Sequence, residues 1–478
     1  MTWGVSELNL EESYDFPVVI ASGADRFAGE LSLTPRKLSL RVMGERTDER
    51  RYQLPMSSDL LACEASNGYF ILVGVEFRSG GWRMIEHYPK PRSFFEDHFE
   101  VEHALYLTTN AGGRPDEIRF FGLELQANAI AEWVGNTKKQ EQILAEYERG
   151  GPLFGDPSLL YEFVAVLGSE DRLGVVYNLS TFYSSPEFKA GVTFPPSLNA
   201  FFASSKTPAQ ALSFFYELYA LFAFLIGDEL DLKKILLSYT GVAGLQRKAS
   251  VYCPRERTPG RRRDPYVLFP LSRNLRFDTQ RLLPVPLELF NAYFALDAPA
   301  RKRFDKYVRY RRLQNVEERF LGYFRLLEAL CHSRETYFDE GALVSLARRA
   351  KPYLTKKFGD AKAVRSFIRH LPWFNTLRHT TEKRIGDFFE TIPTTESERW
   401  KFERGDLAAV CKLRNDITHA NHYAVKAARV EEMAYLIEVL LVLKFLLQLG
   451  VEMSQGLEVV RRLPRYRWIL KPAPTSSV

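Results

Sequence analysis

Apolar residues change their spacing along this chain, and the change limits the folds that it can adopt. From about residue 18 to 135, short apolar segments are separated by turn sequences such as SNG, RSGG and NAGGRPD. This pattern predicts an antiparallel sheet. Beyond about residue 300, apolar residues recur at intervals of three and four, which predicts helices. The recurring positions include Leu313, Val316, Phe320, Tyr323, Phe324, Leu327 and Leu330. We therefore expect an α+β protein with a β-rich N-terminal part and an all-α helical bundle at the C-terminus.

The segment between these two parts combines both patterns. The strand-like sequence LGVVYNLS is followed by TPAQALSFFYELYALFAFLIGDEL, in which Thr207, Pro208 and Gln210 form a capping-box signature at the start of a helix. That helix is apolar on most sides, so we expect it to be buried. A chain of 478 residues is too long for one core and is expected to hold about three domains. We place them at 1–150, at 151–300 with the buried helix and a basic linker, and at 301–478. Further helices are predicted at 340–356, 361–370, 406–419 and 425–449.

Charge is distributed unevenly along the chain. Residues 1–240 contain 21 Lys and Arg against 33 Asp and Glu, a balance of −12, whereas residues 241–478 contain 44 against 26, a balance of +18. The basic linker CPRERTPGRRRDPY supplies five of these arginines, Arg255, Arg257, Arg261, Arg262 and Arg263. A basic half suits a polyanionic partner. It is equally consistent with a solvated surface, so the sign of the charge alone does not identify a ligand.

Several classes of protein are not supported by the sequence. The four cysteines are far apart and form no C-x-x-C pair, which predicts a reducing, cytoplasmic setting and no zinc site. The N-terminal sequence MTWGVSELNLEESYDF has neither a basic start nor an apolar core, so no signal peptide is expected. The apolar run at 433–449 contains Glu438 and Lys444, which predicts a buried core helix rather than a membrane span.

Metal ions and cofactors are not expected either. His98 and His103 flank two glutamates, but on a strand their side chains would point to opposite faces, and no third ligand is evident. Phosphate-binding loops of the G-x-x-x-x-G-K-[ST] and G-x-G-x-x-G types are not found, nor is a G-x-S-x-G nucleophile turn. A small-molecule hydrolase would need a nucleophile that the sequence does not offer.

The sequence LRNDITHA at 413–420 is the strongest candidate for a site. On a helix capped by Asp406, Asn415 and His419 share a face, whereas Arg414 and His419 diverge by about 140°. The latter two converge only if the helix ends near His419 or if the arginine side chain curls back. An imidazole can take the 2′-hydroxyl proton of RNA or protonate the leaving 5′-oxygen, and a guanidinium can hold two phosphoryl oxygens.

Plain structural roles remain open for the same residues. The spacing of arginine and histidine is weakly specific, because Arg365 with His370, Arg325 with His332, and Arg92 with His98 also have it. Arg414 could pair with a carboxylate, Asn415 could cap a helix, and His419 could bond a backbone carbonyl. The helix RFLGYFRLLEALCH could present Glu328 to the same site or leave it exposed.

The chain nevertheless resembles a known family. RFLGYFRLLEALCH, followed about ninety residues later by LRNDITHA and a long apolar helix, is similar to the ApeA-like branch of HEPN domains, which carry an R-x(4–6)-H motif. The segments YFILVGVEFRSGG, EVEHALYLTT, EIRFFGLELQANAIAEWVG and KAGVTFPPSLNAFF resemble the ApeA N-terminal domain. The resemblance extends over roughly 18–450. It implies a bacterial anti-phage, abortive-infection ribonuclease that pairs through its C-terminal helical domain and cuts RNA without a metal.

The resemblance also implies residue roles. Arg414 would stabilise the phosphorane, Asn415 would orient the phosphate, His419 would be the general acid or base, and Glu328 would support them. His422, three residues beyond His419, is a second imidazole whose role stays open. Independently of the resemblance, the linker arginines could contact RNA phosphates or could only keep a loop solvated. Transfer RNA is a candidate target, and a phage-derived trigger is a candidate partner. The alternative function is a non-catalytic HEPN-type module that binds RNA or another protein.

Overall fold

The structure is a computed structural model, and the chain separates into two compact units. The N-terminal unit comprises residues 1–308 and 449–451, and the C-terminal unit comprises 309–448 and 452–478. The residues that the structure describes are 7–22, 25–46, 57–85, 92–108, 115–149, 157–184, 189–241, 244–255, 267–272, 285–331, 338–375 and 381–472.

The N-terminal unit is built on antiparallel strands. Their bounds are β1 Tyr14–Ser22, β2 Asp25–Leu33, β3 Leu38–Arg46, β4 Ser57–Ala65, β5 Gly68–Ile85, β6 Arg92–Leu107, β7 Phe120–Ala127, β8 Tyr161–Val166, β9 Arg172–Tyr177, β10 Ser180–Ser184, β11 Lys189–Thr193, β12 Pro196–Lys206, β13 Leu232–Thr240 and β14 Gln246–Tyr252. Within the described residues, twelve of these strands form one sheet in the order β3-β2-β1-β4-β5-β6-β14-β13-β7-β12-β9-β8, and β10 pairs with β11. Because β3 also pairs with β6, the first six strands close into a ring.

Buried and exposed residues alternate along these segments, which explains why they form strands. In β3, Leu38, Leu40 and Val42 are fully buried while the intervening residues are more exposed, so one face of the strand lies in the core. The sheet joins strands from both the 1–150 and the 151–300 segments. The three-part division proposed from the sequence stays a prediction.

Helices of the N-terminal unit cover part of this sheet. They are α1 Asn128–Val134, α2 Lys138–Glu148, α3 Pro208–Ile226, α4 Glu288–Ala295 and α5 Ala298–Arg312, whose last residues belong to the C-terminal unit. The capping box at the start of α3 is confirmed, because the Gln210 N–H donates to Thr207 Oγ1 and the Thr207 N–H donates to Gln210 Oε1. By length and composition α3 is apolar enough to cross a bilayer, but most of it is buried in the protein. Helix α3 is therefore a buried helix of the N-terminal unit.

The C-terminal unit is helical. Its helices are α6 Val316–Leu330, α7 Glu340–Phe358, α8 Ala361–Asn375, α9 Thr381–Glu390, α10 Thr394–Ser397, α11 Asp406–Thr418, α12 Ala427–Gln448 and α13 Met453–Val460. The expected fold class, with a β-rich N-terminal region, a mixed middle and a helical C-terminal region, is confirmed. One detail was wrong: Leu313 lies between helices, because α6 begins only after Asn315, whose side chain accepts from the N–H groups of Glu317 and Glu318.

Helix α12 is the core of this unit and is buried on nearly all sides. Its interior charges have partners. Glu438 Oε1 accepts a hydrogen bond from the Tyr323 hydroxyl at 3.2 Å and lies 3.3 Å from Arg311 Nε, and the Lys444 ammonium lies over the Phe388 ring. The prediction of a core helix is confirmed, since these charges are satisfied inside the protein.

Candidate functional site

The LRNDITHA sequence occupies the end of α11. Leu407, Val410 and Leu413 are buried at intervals of three, so they fix which face of the helix points inward. Arg414 follows directly at the edge of this buried stripe. The expected N-cap was wrong: Gly405 is the cap residue, and Asp406 is the first helical residue, with its carboxylate accepting the N–H of Glu403 at 2.8 Å.

Arg414 is held by side chains from its own helix and from α6. Its Nη2 lies 3.1 Å from Glu328 Oε2, its Nη1 donates to Asn415 Oδ1 at 2.9 Å, and its guanidinium lies over the Phe324 ring. The other Glu328 oxygen accepts the Thr381 hydroxyl at 2.6 Å. Three helices, α6, α9 and α11, therefore orient one guanidinium.

The Arg414–Glu328 pair is neither buried nor fully solvated. About 29% of the Arg414 side chain and 31% of the Glu328 side chain are exposed. A guanidinium has five N–H donors, and the contacts to Glu328 and Asn415 use two of them. The remaining edge of Arg414 can still meet a ligand oxygen.

His419 lies where α11 ends. A helix end at this residue is one of the two conditions under which the Arg414 and His419 side chains can converge. It is the C-cap residue, with φ −97° and ψ 8°, and its N–H donates to Asn415 O. The Ala420 N–H donates to Ile417 O and the Asn421 N–H to Asp416 O, which is the Schellman arrangement. Its left-handed position is usually glycine, but here it is Ala420 with φ 53°. The residue types around it do not predict this turn, because alanine rarely adopts the left-handed conformation.

The segment after the turn is tied back to α6. The Tyr423 hydroxyl donates to Glu317 Oε1, and this hydrogen bond, followed by burial and the carboxylate charge, raises the pKa of Tyr423 to about 12. Both His419 and His422 are exposed. The two imidazoles are therefore open to solvent at the same end of α11.

Two nearby residues were missed by the sequence analysis. Thr381, the first residue of α9, is far from Glu328 in sequence, and no local pattern predicts their hydrogen bond. Cys411 lies three residues before Arg414 on the same helix. Burial, then the charges of Glu382 and Glu328, raise the pKa of its thiol to about 11. A thiol with that pKa stays protonated at neutral pH and is a poor nucleophile.

The linker arginines are only partly described. Arg257, Arg261, Arg262 and Arg263 lie outside the described residues. The Arg255 side chain is mostly buried, lies 3.5 Å from Asp231 Oδ1, and its backbone N–H donates to Pro35 O. A phosphate would have to compete with these contacts at Arg255. An RNA-binding role for the linker stays a prediction.

The two histidines of β6 are far from a metal-site arrangement. His98 Nε2 lies 3.2 Å from Glu96 on the surface, whereas His103 is buried with Nε2 2.5 Å from the Tyr216 hydroxyl. Burial lowers the pKa of His103 to about 4. Among the described residues, no group of three or more His, Cys, Asp or Glu is arranged to hold a metal ion.

Comparison with known proteins gives one match. Residues 321–455 match the Apea-like HEPN family, a span that contains Glu328, Arg414, Asn415 and His419. No curated protein and no solved structure matches the chain. The resemblance of the N-terminal segments to the ApeA N-terminal domain stays a prediction. HEPN domains are generally RNA-directed nucleases that dimerise, so the match indicates an RNA-related role. The chain thus carries an Apea-like HEPN domain at residues 321–455.

Proposed function

We propose that the HEPN domain is a metal-independent endoribonuclease whose site is formed by Arg414, Asn415, His419 and Glu328. The observation that carries this proposal is the oriented, half-exposed guanidinium of Arg414, held by Glu328 and Asn415, with the exposed His419 at the end of the same helix. Residues 414 and 419 are five helical steps apart, which is a backbone rise of about 7.5 Å along the axis. A long arginine side chain and an imidazole at that spacing can both reach one phosphodiester.

The chemistry needs a proton acceptor, a proton donor and a charge stabiliser. His419 takes the 2′-hydroxyl proton, and the 2′-oxygen then forms a bond to the adjacent phosphorus. The bond from phosphorus to the 5′-oxygen breaks, and this leaving oxygen receives a proton from an imidazole. The products are a 2′,3′-cyclic phosphate and a 5′-hydroxyl. Arg414 stabilises the negative charge that builds on the phosphoryl oxygens.

Glu328 and Asn415 act on the arginine rather than on the RNA. Because Glu328 accepts from both Arg414 and Thr381, it fixes the plane of the guanidinium before substrate arrives. A preorganised donor loses less entropy and needs less reorganisation in the transition state. We propose that two copies of the domain pair, so that one copy supplies the base and the other the acid, and that the full chain acts in anti-phage defence with tRNA as a candidate substrate.

The test is cleavage of total cellular RNA by the purified full chain, with and without EDTA. We expect cleavage that persists in EDTA and leaves cyclic phosphate ends. His419→Ala and Arg414→Ala should each reduce the rate by a factor on the order of 100 or more, since each removes a general acid–base or charge-stabilising group.

Matched controls separate this site from other histidines. His98→Ala, on the surface of β6, should cleave like the native chain, and His422→Ala shows whether the second imidazole contributes. A chain that binds RNA but never cuts it, whatever the variant, would support the non-catalytic module instead. Loss of all cleavage in EDTA would contradict metal independence.

The defence role has its own test. Cells that carry the native chain should yield fewer phage plaques than cells that carry His419→Ala, because only the native chain would cut RNA after infection. Equal plaque counts would count against a defence role while leaving the nuclease assignment intact.

A further inference from the structure

The helices α7 and α8 form a hairpin that buries little of itself. Gly359, with φ 71°, ends α7, and Asp360 caps α8 by accepting the N–H groups of Lys362 and Ala363. Of the side chains that the structure describes in these helices, only Ala347, Val364 and Asn375 are buried. A hairpin of two such helices therefore offers most of its surface to a partner.

Aromatic rings project from this hairpin into solvent. Tyr353 is 68% exposed, Phe358 is 70% exposed and Phe367 is 54% exposed. Leaving a large ring in water forgoes roughly 2 kcal/mol of burial energy per side chain. Rings that stand singly on a helix surface are suited to stacking against flat partners.

Cations surround the rings. Residues 340–375 contain eight Lys and Arg against the two acids Glu340 and Asp360. All eight are exposed, and none forms an ion pair with another residue that the structure describes. They are Arg348, Arg349, Lys351, Lys356, Lys357, Lys362, Arg365 and Arg369. This local balance of +6 equals the net charge of the whole chain.

Basic side chains flank Tyr353 on the surface of α7. On α7, Arg349 lies four residues before Tyr353, and Lys356 and Lys357 lie three and four residues after it, so each of the three is a neighbour of Tyr353 on the helix surface. On α8, Phe367 and His370 are three residues apart and share a face. Tyr353 and Phe367 thus each have a basic or imidazole side chain within one turn.

The hairpin is connected to the proposed cleavage site. In chain order the hairpin follows α6, which carries Glu328, and precedes α9. The first residue of α9, Thr381, donates a hydrogen bond to Glu328. Its base is closed by Asn375, which bonds both the N–H and the carbonyl of Phe338. Only residues 376–380 separate Asn375 from Thr381, so the base lies within about 20 Å of the site.

We propose that the α7–α8 hairpin binds single-stranded RNA, with bases stacked on Tyr353 and Phe367 and phosphates neutralised by the surrounding cations. The proposal rests on the proposed function, because the RNA that reaches the cleavage site is the ligand that the hairpin would hold. Single-stranded RNA offers both the flat bases and the regular negative charge that this surface matches.

Two other occupants fit less well. A second copy of the hairpin would bring eight further cations against the first eight, and like charges at that distance repel. A membrane surface requires a continuous apolar face, whereas the exposed rings of α7 are separated by Arg349, Lys351, Lys356 and Lys357. Charge complementarity therefore favours the nucleic acid.

The test measures binding of a short fluorescein-labelled single-stranded RNA of mixed sequence to the full chain carrying His419→Ala, which prevents cutting. Adding Tyr353→Ala should weaken binding roughly tenfold, because one stacked base is worth about 1–3 kcal/mol. The matched control Tyr353→Phe keeps a flat ring and should bind like the parent. Tyr183→Ala, which removes an exposed ring from β10, should also have no effect.

The salt dependence of RNA affinity and the comparison of single-stranded with duplex RNA give two further tests. Lys356→Ala with Lys357→Ala should lower the slope of log affinity against log salt concentration by about 0.7 for each phosphate that the variant no longer neutralises. Duplex RNA, whose bases are already stacked, should be insensitive to Tyr353→Ala. Unchanged affinity in both the ring and the lysine variants, with circular dichroism of the native chain, would overturn the proposal.

The outcomes also distinguish this proposal from the nuclease assignment. If His419→Ala abolishes cleavage but Tyr353→Ala binds RNA normally, the hairpin assignment fails alone. If the chain never cuts RNA but binds it through Tyr353, the nuclease assignment fails alone. The ring and lysine variants are also tested for self-association by sedimentation and for binding to anionic phosphatidylserine vesicles. If these variants lose either property while their RNA affinity is unchanged, the RNA-binding proposal is overturned in favour of a protein or membrane partner.

Discussion

At the scale of single residues, the candidate site includes a turn in which an alanine adopts the unfavourable left-handed conformation. Ala420 adopts φ 53°, and a left-handed conformation costs a residue with a Cβ roughly 1 kcal/mol. The hydrogen bonds of the helix end, from Ala420 to Ile417 and from Asn421 to Asp416, hold it there. The turn fixes where His419 leaves the helix, so the strain lies at Ala420, one residue beyond the proposed catalytic residue.

Ala420→Gly should therefore stabilise the C-terminal unit by about 1 kcal/mol, because glycine adopts the left-handed conformation without a steric cost. Urea unfolding followed by circular dichroism would measure the change. The matched control is Ala409→Gly, the same substitution at an exposed position inside α11, which should destabilise by about 1 kcal/mol. If Ala420→Gly and Ala409→Gly lost the same amount of stability, the left-handed conformation assigned to Ala420 would be contradicted.

Residue types and spacings were enough to find Arg414, Asn415, His419 and Glu328 as candidates, but not their geometry. The contact between Arg414 and Glu328 joins helices that are far apart in sequence, and Thr381 completes it from a third helix. Such contacts depend on tertiary packing, which local pattern does not contain. The left-handed conformation of Ala420 was not predictable either, because alanine disfavours this conformation.

At the scale of helices and strands, periodicity predicted much of what the structure has. Helices expected at 340–356 and 361–370 are observed as α7 and α8, each extending further at its C-terminal end and containing a proline. The strand pairings were not predictable, since the paired residues of β3 and β6 are about 50 to 60 positions apart and those of β14 and β6 are more than a hundred apart. Alternation identifies a strand but not its neighbour.

The interior charge of α12 gives the prediction at this scale. Glu438 is buried, and Arg311, whose side chain is only 9% exposed, faces it. Glu438→Ala should cost the C-terminal unit about 3 kcal/mol or more, because it leaves a buried guanidinium without this carboxylate. The control on the same helix is Glu432→Ala, which removes partly exposed ion pairs to Lys401 and Arg429 and should cost less than about 1 kcal/mol. Equal losses in thermal unfolding would show that Glu438 is not specially placed.

At the scale of the whole molecule, proton uptake by a buried histidine connects the stability of the protein to pH. In the N-terminal unit, His103 is buried against Tyr216, and burial lowers its pKa from the ordinary 6.5 to about 4. The folded chain therefore keeps this ring neutral at a pH where the unfolded chain protonates it. Stability from this residue is complete above pH 6.5 and is lost as the pH falls from 6.5 towards 4.

Between pH 7 and pH 5 this linkage should remove about 2 kcal/mol from the free energy of unfolding of the N-terminal unit. His103→Gln cannot titrate, so in urea titrations at both pH values it should lose less stability on acidification than the native chain by that amount. Carboxylates that titrate in the same range contribute equally to both proteins and cancel in the comparison. His98→Gln makes the same substitution at the exposed histidine of the same strand and serves as the matched comparison. If His103→Gln lost as much stability as the native chain between these pH values, the proton uptake that destabilises the protein would have to occur at a residue other than His103.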